Sequence, residues 1–412
     1  MSIGTGERTR EIIRETERWS AHNYAPLPVV LDRGEGCWVR DVDGNRYLDM
    51  LAAYSALNHG HRHPEIVAAL EEQAARLTLT SRAFHNDRMA GFLRRLCRVA
   101  GYEKALPMNT GAEAVETAIK AARKWGYRRK GVPEGRAEII ACENNFHGRT
   151  TTIVGFSTEE QYREGFGPFT PGFTTIPFGD ADALEAAITD ETVGFLVEPI
   201  QGEGGVVVPP EGYLARCAEI CREHDVLLLN DEIQTGLGRT GRLFGGDWDG
   251  VRGDVLIVGK ALGGGVYPVS AILADREVMD VFGPGDHGST FGGNPLGAAV
   301  GEASLRVIVE EELPRRSREL GSWFMDRLRE IDSEHVREVR GRGLMIGVVI
   351  RASSGTARPF CEELMHRGIL AKETHGQVIR FAPPLVVDRE TLEGVLPDIE
   401  AVIRGEGVEL DA

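Results

Sequence analysis

The sequence predicts an α/β protein, with a mainly parallel sheet flanked by helices and a smaller C-terminal α+β part. Short apolar runs, EIIAC, GFLVEPI, VLLLND and DVLIVGK, recur between residues 138 and 260. Helical stretches separate them, LARCAEICREH among them. Parallel strands need a crossover, so this alternation marks a parallel sheet. After the strongly helical ASLRVIVEEELPRRSRELGSWFMDRLREI, the pattern turns to strands (LMIGVVI, VIRFAPPLVV) mixed with helices.

At 412 residues the chain exceeds what one core usually holds. We expect an N-terminal segment (1–53), a large domain (54–299) and a small C-terminal domain (300–412). Residues 7–19 have helical periodicity. AHNYAPLPVVLDRGEGCWVRDVDGNRYLDM reads as short strands broken by turns, with Asp43-Gly44 as a hairpin signal. Asp41, Asp43 and Asn45 superficially resemble a calcium loop, but the glycine comes too early and the closing glutamate is missing. Pro64-Glu65 opens an amphipathic helix, and residues 111–126 form another.

Composition removes several function classes. Acidic residues outnumber basic ones, 63 against 47, so a chain of charge -16 repels phosphate backbones and no nucleic-acid partner is expected. No run has the apolar length of a membrane span, and MSIGTGERTREIIRETERW has no apolar core to act as a leader. Six scattered cysteines without a C-x-x-C pair suggest a reducing compartment, so we expect a cytoplasmic protein. Cys217 and Cys221, four apart, share a helix face.

The chemistry gathers at two strand ends. VLLLN runs into Asp231-Glu232, and VLIVG runs into Lys260. In open α/β sheets ligands bind at the carboxyl ends of strands. A lysine beside a carboxylate there reads as a buried ion pair, a phosphate site or a Schiff-base site. The glycines of ALGGGVYPVSAIL would let backbone pass close to a bulky ligand. GLGRTG at 236–241 fits G-x-G-x-x-G, but DEIQT separates it from the strand and no helix comes after it, so it reads as a loop. His59, His61 and His63 alternate without cysteine or acidic partners at ligand spacing, so structural use is expected and no metal site. Glu198, in VEPI, is read as structural, since a buried glutamate needs a partner.

NDEIQTGLGRTGRLF, VGKALGGGVYPVSAIL and HGSTFGGNPLG together resemble the class III aminotransferases of the fold-type-I pyridoxal-phosphate enzymes. AHNYAPLP, YSALNHGHRHP, LTLTSRAF, PMNTGAEAVETAIKAARKWGY, FGPFTPGF, VEPIQGEGGVVVP and VIRFAPPLVV extend the resemblance from about residue 19 to residue 400. It implies pyridoxal 5'-phosphate as cofactor, with Lys260 as its covalent anchor and proton carrier. Asp231 would hold the ring nitrogen protonated, because a carboxylate in contact raises that nitrogen's pKa. Gln234 matches the residue at the phenolic oxygen, and Phe146 and Ile233 those on the ring faces. Gly111 and Ala112, where PMNT enters a helix, would give backbone N–H groups to the phosphate. Ser289 is placed with the cofactor too. Thr290 matches a threonine reaching the phosphate of the neighbouring subunit, which implies a homodimer or higher oligomer.

For substrates, Arg149 matches an arginine that binds a carboxylate, and Arg380 a second one for the α-carboxylate of 2-oxoglutarate. Glu203 matches the glutamate that pairs with that arginine while a diamine is bound. Tyr24 and Tyr54 match tyrosines of members that act on L-ornithine. The implied reaction moves ornithine's δ-amino group to 2-oxoglutarate. Alternatives are another ω-aminotransferase (acetylornithine, 4-aminobutyrate or lysine), a same-fold racemase or aminomutase, a dehydrogenase read from GLGRTG, and a cofactor-free binding protein. One departure is His147, where animal relatives carry tryptophan. A smaller, titratable ring there would alter pocket volume or pH response.

Overall fold

The computed structural model describes residues 3–410. A helix, Glu7–Trp19, precedes three antiparallel strands: β1 (Leu31–Glu35), β2 (Trp38–Asp41) and β3 (Arg46–Asp49). The Asp43-Gly44 turn joins β2 to β3, with Gly44 at φ +93. Asp41 accepts from the N–H groups of Asp43 and Asn45, the Asn45 amide and the Tyr47 hydroxyl. Its oxygens are therefore spent on closing the hairpin, which accounts for the calcium-like spelling of the loop.

The large sheet has seven strands: β4 (Lys104–Met108), β5 (Glu138–Cys142), β6 (Phe173–Ile176), β7 (Thr192–Val197), β8 (Leu227–Asp231), β9 (Val255–Val258) and β10 (Ser270–Ala274). Their order is β4-β10-β9-β8-β7-β5-β6, and β10 alone runs against its neighbours. The four apolar runs of the sequence are β5, β7, β8 and β9. Every residue of β7, β8 and β9 is buried, as a sheet covered on both faces requires. Alternate side chains serve opposite layers. Ile139, Leu196 and Leu229 pack with the helix Gly111–Trp125, whereas Ile140, Val197 and Leu228 pack with the helix Tyr213–Glu223. Cys217 and Cys221 both lie on the buried face of that second helix.

The helical stretch beyond residue 294 is two helices, Pro295–Glu310 and Leu313–Arg329, broken where Glu312 turns left-handed at φ +51. The C-terminal sheet contains β11 (Val336–Arg342), β12 (Met345–Ile350), β14 (Lys372–Thr374) and β15 (Val378–Phe381), in the antiparallel order β11-β12-β15-β14. Of VIRFAPPLVV only the first four residues are strand, because the two prolines cannot donate to a ladder. Strand β13 (Ile369–Leu370) leaves this sheet and pairs in parallel with β3.

The segment 236–241 is a loop, as its spacing predicts, and it ties the two sheets together. Arg239 is 0% exposed. Its Nη1 donates to the carbonyls of Leu344 and Pro383, and its Nη2 to Asn58 Oδ1. Burial drives this guanidinium down to about 9. The three alternating histidines make separate ties: His59 to Ser304, His61 to Asp49 and His63 to Glu311.

Ala52, Ala53, Tyr54 and Ser55 all have positive φ, between 46 and 73, so this turn is left-handed. Asp49 Oδ1 caps it through the N–H groups of Leu51 and Ala52. Such residues cost on the order of 1–2 kcal/mol each, which the surrounding packing has to offset.

Replacing Arg239 by methionine leaves three buried acceptors without their donor. Stability should fall by about 3 kcal/mol, read as a lower denaturant midpoint with an unchanged slope. An unmoved midpoint would mean that this stitch contributes nothing.

Candidate active site

Strands β4, β5, β7, β8 and β9 end at one edge, and each delivers part of a cavity of about 210 Å³. Beyond β4, Thr110 caps the helix Gly111–Trp125. Its hydroxyl accepts from Glu113 N–H, and the Glu113 carboxylate accepts from Thr110 N–H. Ala114 N–H goes to the Thr110 carbonyl, which also accepts from Ser270 on β10. The N–H groups of Gly111 and Ala112 keep no protein partner among the described residues, so they form a ready anion seat. A Cβ on Gly111 would stand 3.1 Å from Ile233, so only glycine lets that side chain lie so close.

Beyond β5 come Phe146 and His147; beyond β7, Glu198; at the end of β8, Asp231, Ile233 and Gln234. Lys260 comes after β9 in a left-handed conformation, φ +42, which is strain at a residue other than glycine. Its side chain keeps some exposure, but to this cavity, and protein surrounds it. Burial therefore pushes its ammonium below the ordinary lysine range, against the pull of Glu203 and Asp231.

Asp231 is 4% exposed and is held at both oxygens. His147 Nδ1 bonds Oδ2 at 2.6 Å, and Ile233 N–H bonds Oδ1 at 3.0 Å. A carboxylate only accepts, so the His147 proton lies on Nδ1. Burial pushes this imidazole down, but the bond and charge of Asp231 outweigh it and hold it above the usual value. Glu198 accepts from Phe146 N–H, and burial pushes its carboxyl up to about 7.

Glu203 Oε1 accepts from Arg380 Nη1 at 2.6 Å and from Gln234 Nε2 at 3.1 Å. Burial raises the Glu203 carboxyl, yet Arg380 more than reverses this and holds it below the ordinary range. Arg380, from β15, is 2% exposed, and its Nε and Nη2 lack partners among the described residues. These unspent donors suit a ligand carboxylate. The Arg380 guanidinium lies 4.9 Å from the Tyr54 ring. Arg149 is exposed and stacks 3.6 Å over Tyr162, beside Phe146.

The chain thus gathers Lys260, Asp231, Ile233, Gln234, Phe146, Gly111, Ala112 and Glu203 around one cavity, with Arg380 and Tyr54 adjoining. It does not gather all the expected residues. Tyr24 is 81% exposed, Thr290 is exposed, and Ser289 bonds Asn109 rather than lining the cavity. Glu198, Gly148 and Thr235 line it although the sequence does not assign them there, and His147 lines it beside Phe146, where the sequence places it. Glu198 ends an apolar run, the same signal that singles out Asp231 and Lys260. A larger hollow of about 820 Å³ is bordered by Leu93, Cys97, Tyr102 and Phe282, and none of its charged residues, Arg94, Arg98, Glu103 and Lys104, is buried, so size alone does not mark the site. A fixed carboxylate, an enclosed lysine, free helix N–H groups and two apolar walls fit pyridoxal phosphate.

Residues 19–403 match the family described as Aminotransferase class-III. An ornithine aminotransferase of Brevibacillus brevis is 56% identical over 396 residues, 96% of this chain and 98% of that protein. Ornithine aminotransferase 2 of Staphylococcus aureus is also 56% identical, over 96% of this chain and all of its own length. Among solved structures, the ornithine aminotransferase of Toxoplasma gondii, seen with partial occupancy of PLP at its active site, superposes with TM-score 0.95 at 46% identity, covering 97% of this chain and 95% of that one. The acetylornithine aminotransferase of Elizabethkingia anophelis gives TM-score 0.87, also at 46% identity, over 96% of this chain and 98% of its own. Family match, fold and site geometry agree: the chain belongs to the class-III aminotransferases, which are pyridoxal-phosphate enzymes.

Proposed function

We propose that the chain transfers the δ-amino group of L-ornithine to 2-oxoglutarate, giving glutamate-5-semialdehyde, which cyclises to pyrroline-5-carboxylate, and glutamate. The Glu203–Arg380 pair beside Lys260 carries this reading. One pocket has to accept a diamine and then a dicarboxylate. With Glu203 on Arg380, the cation is neutralised and an amine end is tolerated. With Glu203 withdrawn, Arg380 can grip a carboxylate bidentately. Similarity to ornithine aminotransferases over nearly the whole chain supports the same substrate.

Gly111 and Ala112 would hold the cofactor's phosphate, Asp231 its ring nitrogen and Gln234 its phenolic oxygen, with Phe146 and Ile233 on its faces. When bound, pyridoxal phosphate supplies an aldehyde that accepts the amino group and a ring that draws electrons from the carbon beside it. Lys260 would anchor it through Nζ, an amine that would be set free once a substrate amine is bound. Burial favours the uncharged form of Lys260 Nζ, which can then take the proton from the substrate carbon and return it. Arg149 would bind ornithine's carboxylate, Tyr24 would help hold its α-amino group, and Tyr54 would cover the pocket. The two half-reactions alternate in ping-pong order. Thr290, exposed on its own subunit, is assigned to the phosphate seat of a second copy and Ser289 to the cofactor, so we expect a homodimer or larger assembly. Six free thiols suit the reducing cytoplasm.

Holoenzyme mixed with L-ornithine, without 2-oxoglutarate, should lose its visible cofactor band in one turnover. The rate should exceed that with N-acetylornithine or 4-aminobutyrate by about a hundredfold, a typical discrimination for a pocket of this kind. A faster reaction with N-acetylornithine would replace this reading by the one that the Elizabethkingia structure favours. Failure to consume 2-oxoglutarate would favour a racemase or aminomutase.

In cofactor-free protein, Lys260 should react with an amine-selective acylating reagent at lower pH than the exposed lysines, because its amine loses its proton earlier. Peptide mapping across a pH series checks this. Labelling of Lys260 in step with the surface lysines would remove the argument for a poised free amine.

A further inference from the structure

The N-terminal sheet buries one face and turns the other outward. Val39, Asp41 and Tyr47 are buried, whereas Arg40 and Arg46 are exposed beside the half-buried Trp38. Strand register then sets like charges against each other. Arg33 of β1 lies directly opposite Arg40 of β2, and Arg40 lies directly opposite Arg46 of β3. Like charges directly opposite on a sheet destabilise it, and here three arginines stand in one row.

The chain has acidic residues to spare, with a charge of -16, yet it spends few of them here. Among the described residues Arg33 has only Asp32, at 3.9 Å. Arg40 has only a long bond, 3.4 Å, to the Gly44 carbonyl, and Arg46 is stacked 3.7 Å over the Trp38 ring. Other exposed arginines are matched: Arg315 with Glu312 and Glu319, Arg327 with Glu330, Arg329 with Asp326. Solvation alone would serve any exposed cation, but it gives no reason to place cations in register and unmatched.

The row borders a hollow of about 440 Å³, which Arg62, Trp38 and Glu35 complete. Arg62 enters from beside His61, which bridges to Gly36, and its guanidinium is also unpaired among the described residues. A Cβ on Gly34 would stand 2.7 Å from the His61 ring, so glycine there lets the segment carrying Arg62 close against β1. Four guanidiniums against Glu35 leave three positive charges unmet. Arginine's planar fork takes phosphate oxygens in pairs, and two linked phosphates carry about three negative charges. The stack on Trp38 holds the Arg46 plane while leaving its N–H edge free. The hollow shares no lining residue with the catalytic cavity.

We propose that this hollow, walled by Arg33, Arg40, Arg46 and Arg62, is a second ligand site, which binds a small anion with two linked phosphate groups, free or carried on a nucleoside.

The test is calorimetric titration of holoenzyme, whose cofactor fills the other phosphate seat, at low ionic strength. The probes are inorganic pyrophosphate and, separately, ADP. Saturable binding of pyrophosphate is expected, and Arg40→Gln should weaken it about tenfold, as the loss of one charged donor pair requires. The same variant, freed of two like-charge contacts, should unfold at the wild-type temperature or above it. Equal or tighter binding of pyrophosphate identifies a free phosphate anion as the ligand, and tighter binding of ADP a nucleotide; either supports the site. No saturable binding of either probe overturns the proposal. Binding that Arg40→Gln leaves unchanged also overturns it, as an adventitious ion only. If Arg40→Gln lowers the unfolding temperature, Arg62→Gln, which lies outside the three strands, decides: about tenfold weaker binding supports the site and unchanged binding refutes it.

Discussion

Charge kept away from water sets the terms at the carboxyl edge of the large sheet. Lys260, Asp231, His147, Glu198 and Glu203 share a cavity of about 210 Å³. A lone ion in such a place would cost far more than a small domain's net stability, so each has to be matched or neutralised. Arg380 matches Glu203, His147 matches Asp231, and Glu198 moves toward the neutral form. The continuous apolar strands and the helices on both faces keep this edge dry. Drying favours the lysine's uncharged amine, and it raises the worth of every fixed donor around it.

Rigidity is the companion requirement. Ser270 and the Thr110–Glu113 box fix the start of the helix at Gly111. Lys260 and the turn Ala52–Ser55 hold backbone conformations that a free chain would avoid. Strain of this kind survives only where neighbours over-determine the position, and both instances border the cavity.

Much of this is legible in the residues. β5, β7, β8 and β9 can be read because a strand buried on both faces must be uniformly apolar. Asp231 and Lys260 stand out as ionisable groups ending such runs. β4 carries a proline at 107, β6 is four residues of Phe, Thr and Ile behind Pro-Gly, and β10 hides behind a triple glycine, so none shows a clean period. Glu198 obeys the rule that finds its neighbours, but a buried glutamate also has a structural explanation, and spacing does not separate the two. The His147–Asp231 bond joins residues 84 apart, and no local pattern encodes such a meeting. Nor does Ala-Ala-Tyr-Ser announce a left-handed turn, since glycine is the usual signal for that backbone. Ser289 and Thr290 stay apart from the cavity within one chain, so a role for Thr290 there depends on what a second copy brings, and Tyr24 lies exposed.

The pairing of β13 with β3 bears on how the protein is made. Strands β1 to β3 leave the ribosome well before their fourth partner, β13, which is encoded more than 300 residues later. Until then β3 presents an open edge of unpaired N–H and C=O groups, the kind of edge that recruits stray strands. Closing it brings together chain segments more than 300 residues apart, a late and slow event on loop-closure grounds. The nascent chain therefore carries that edge unguarded while the intervening residues are made, an interval in which unpaired strand edges invite association.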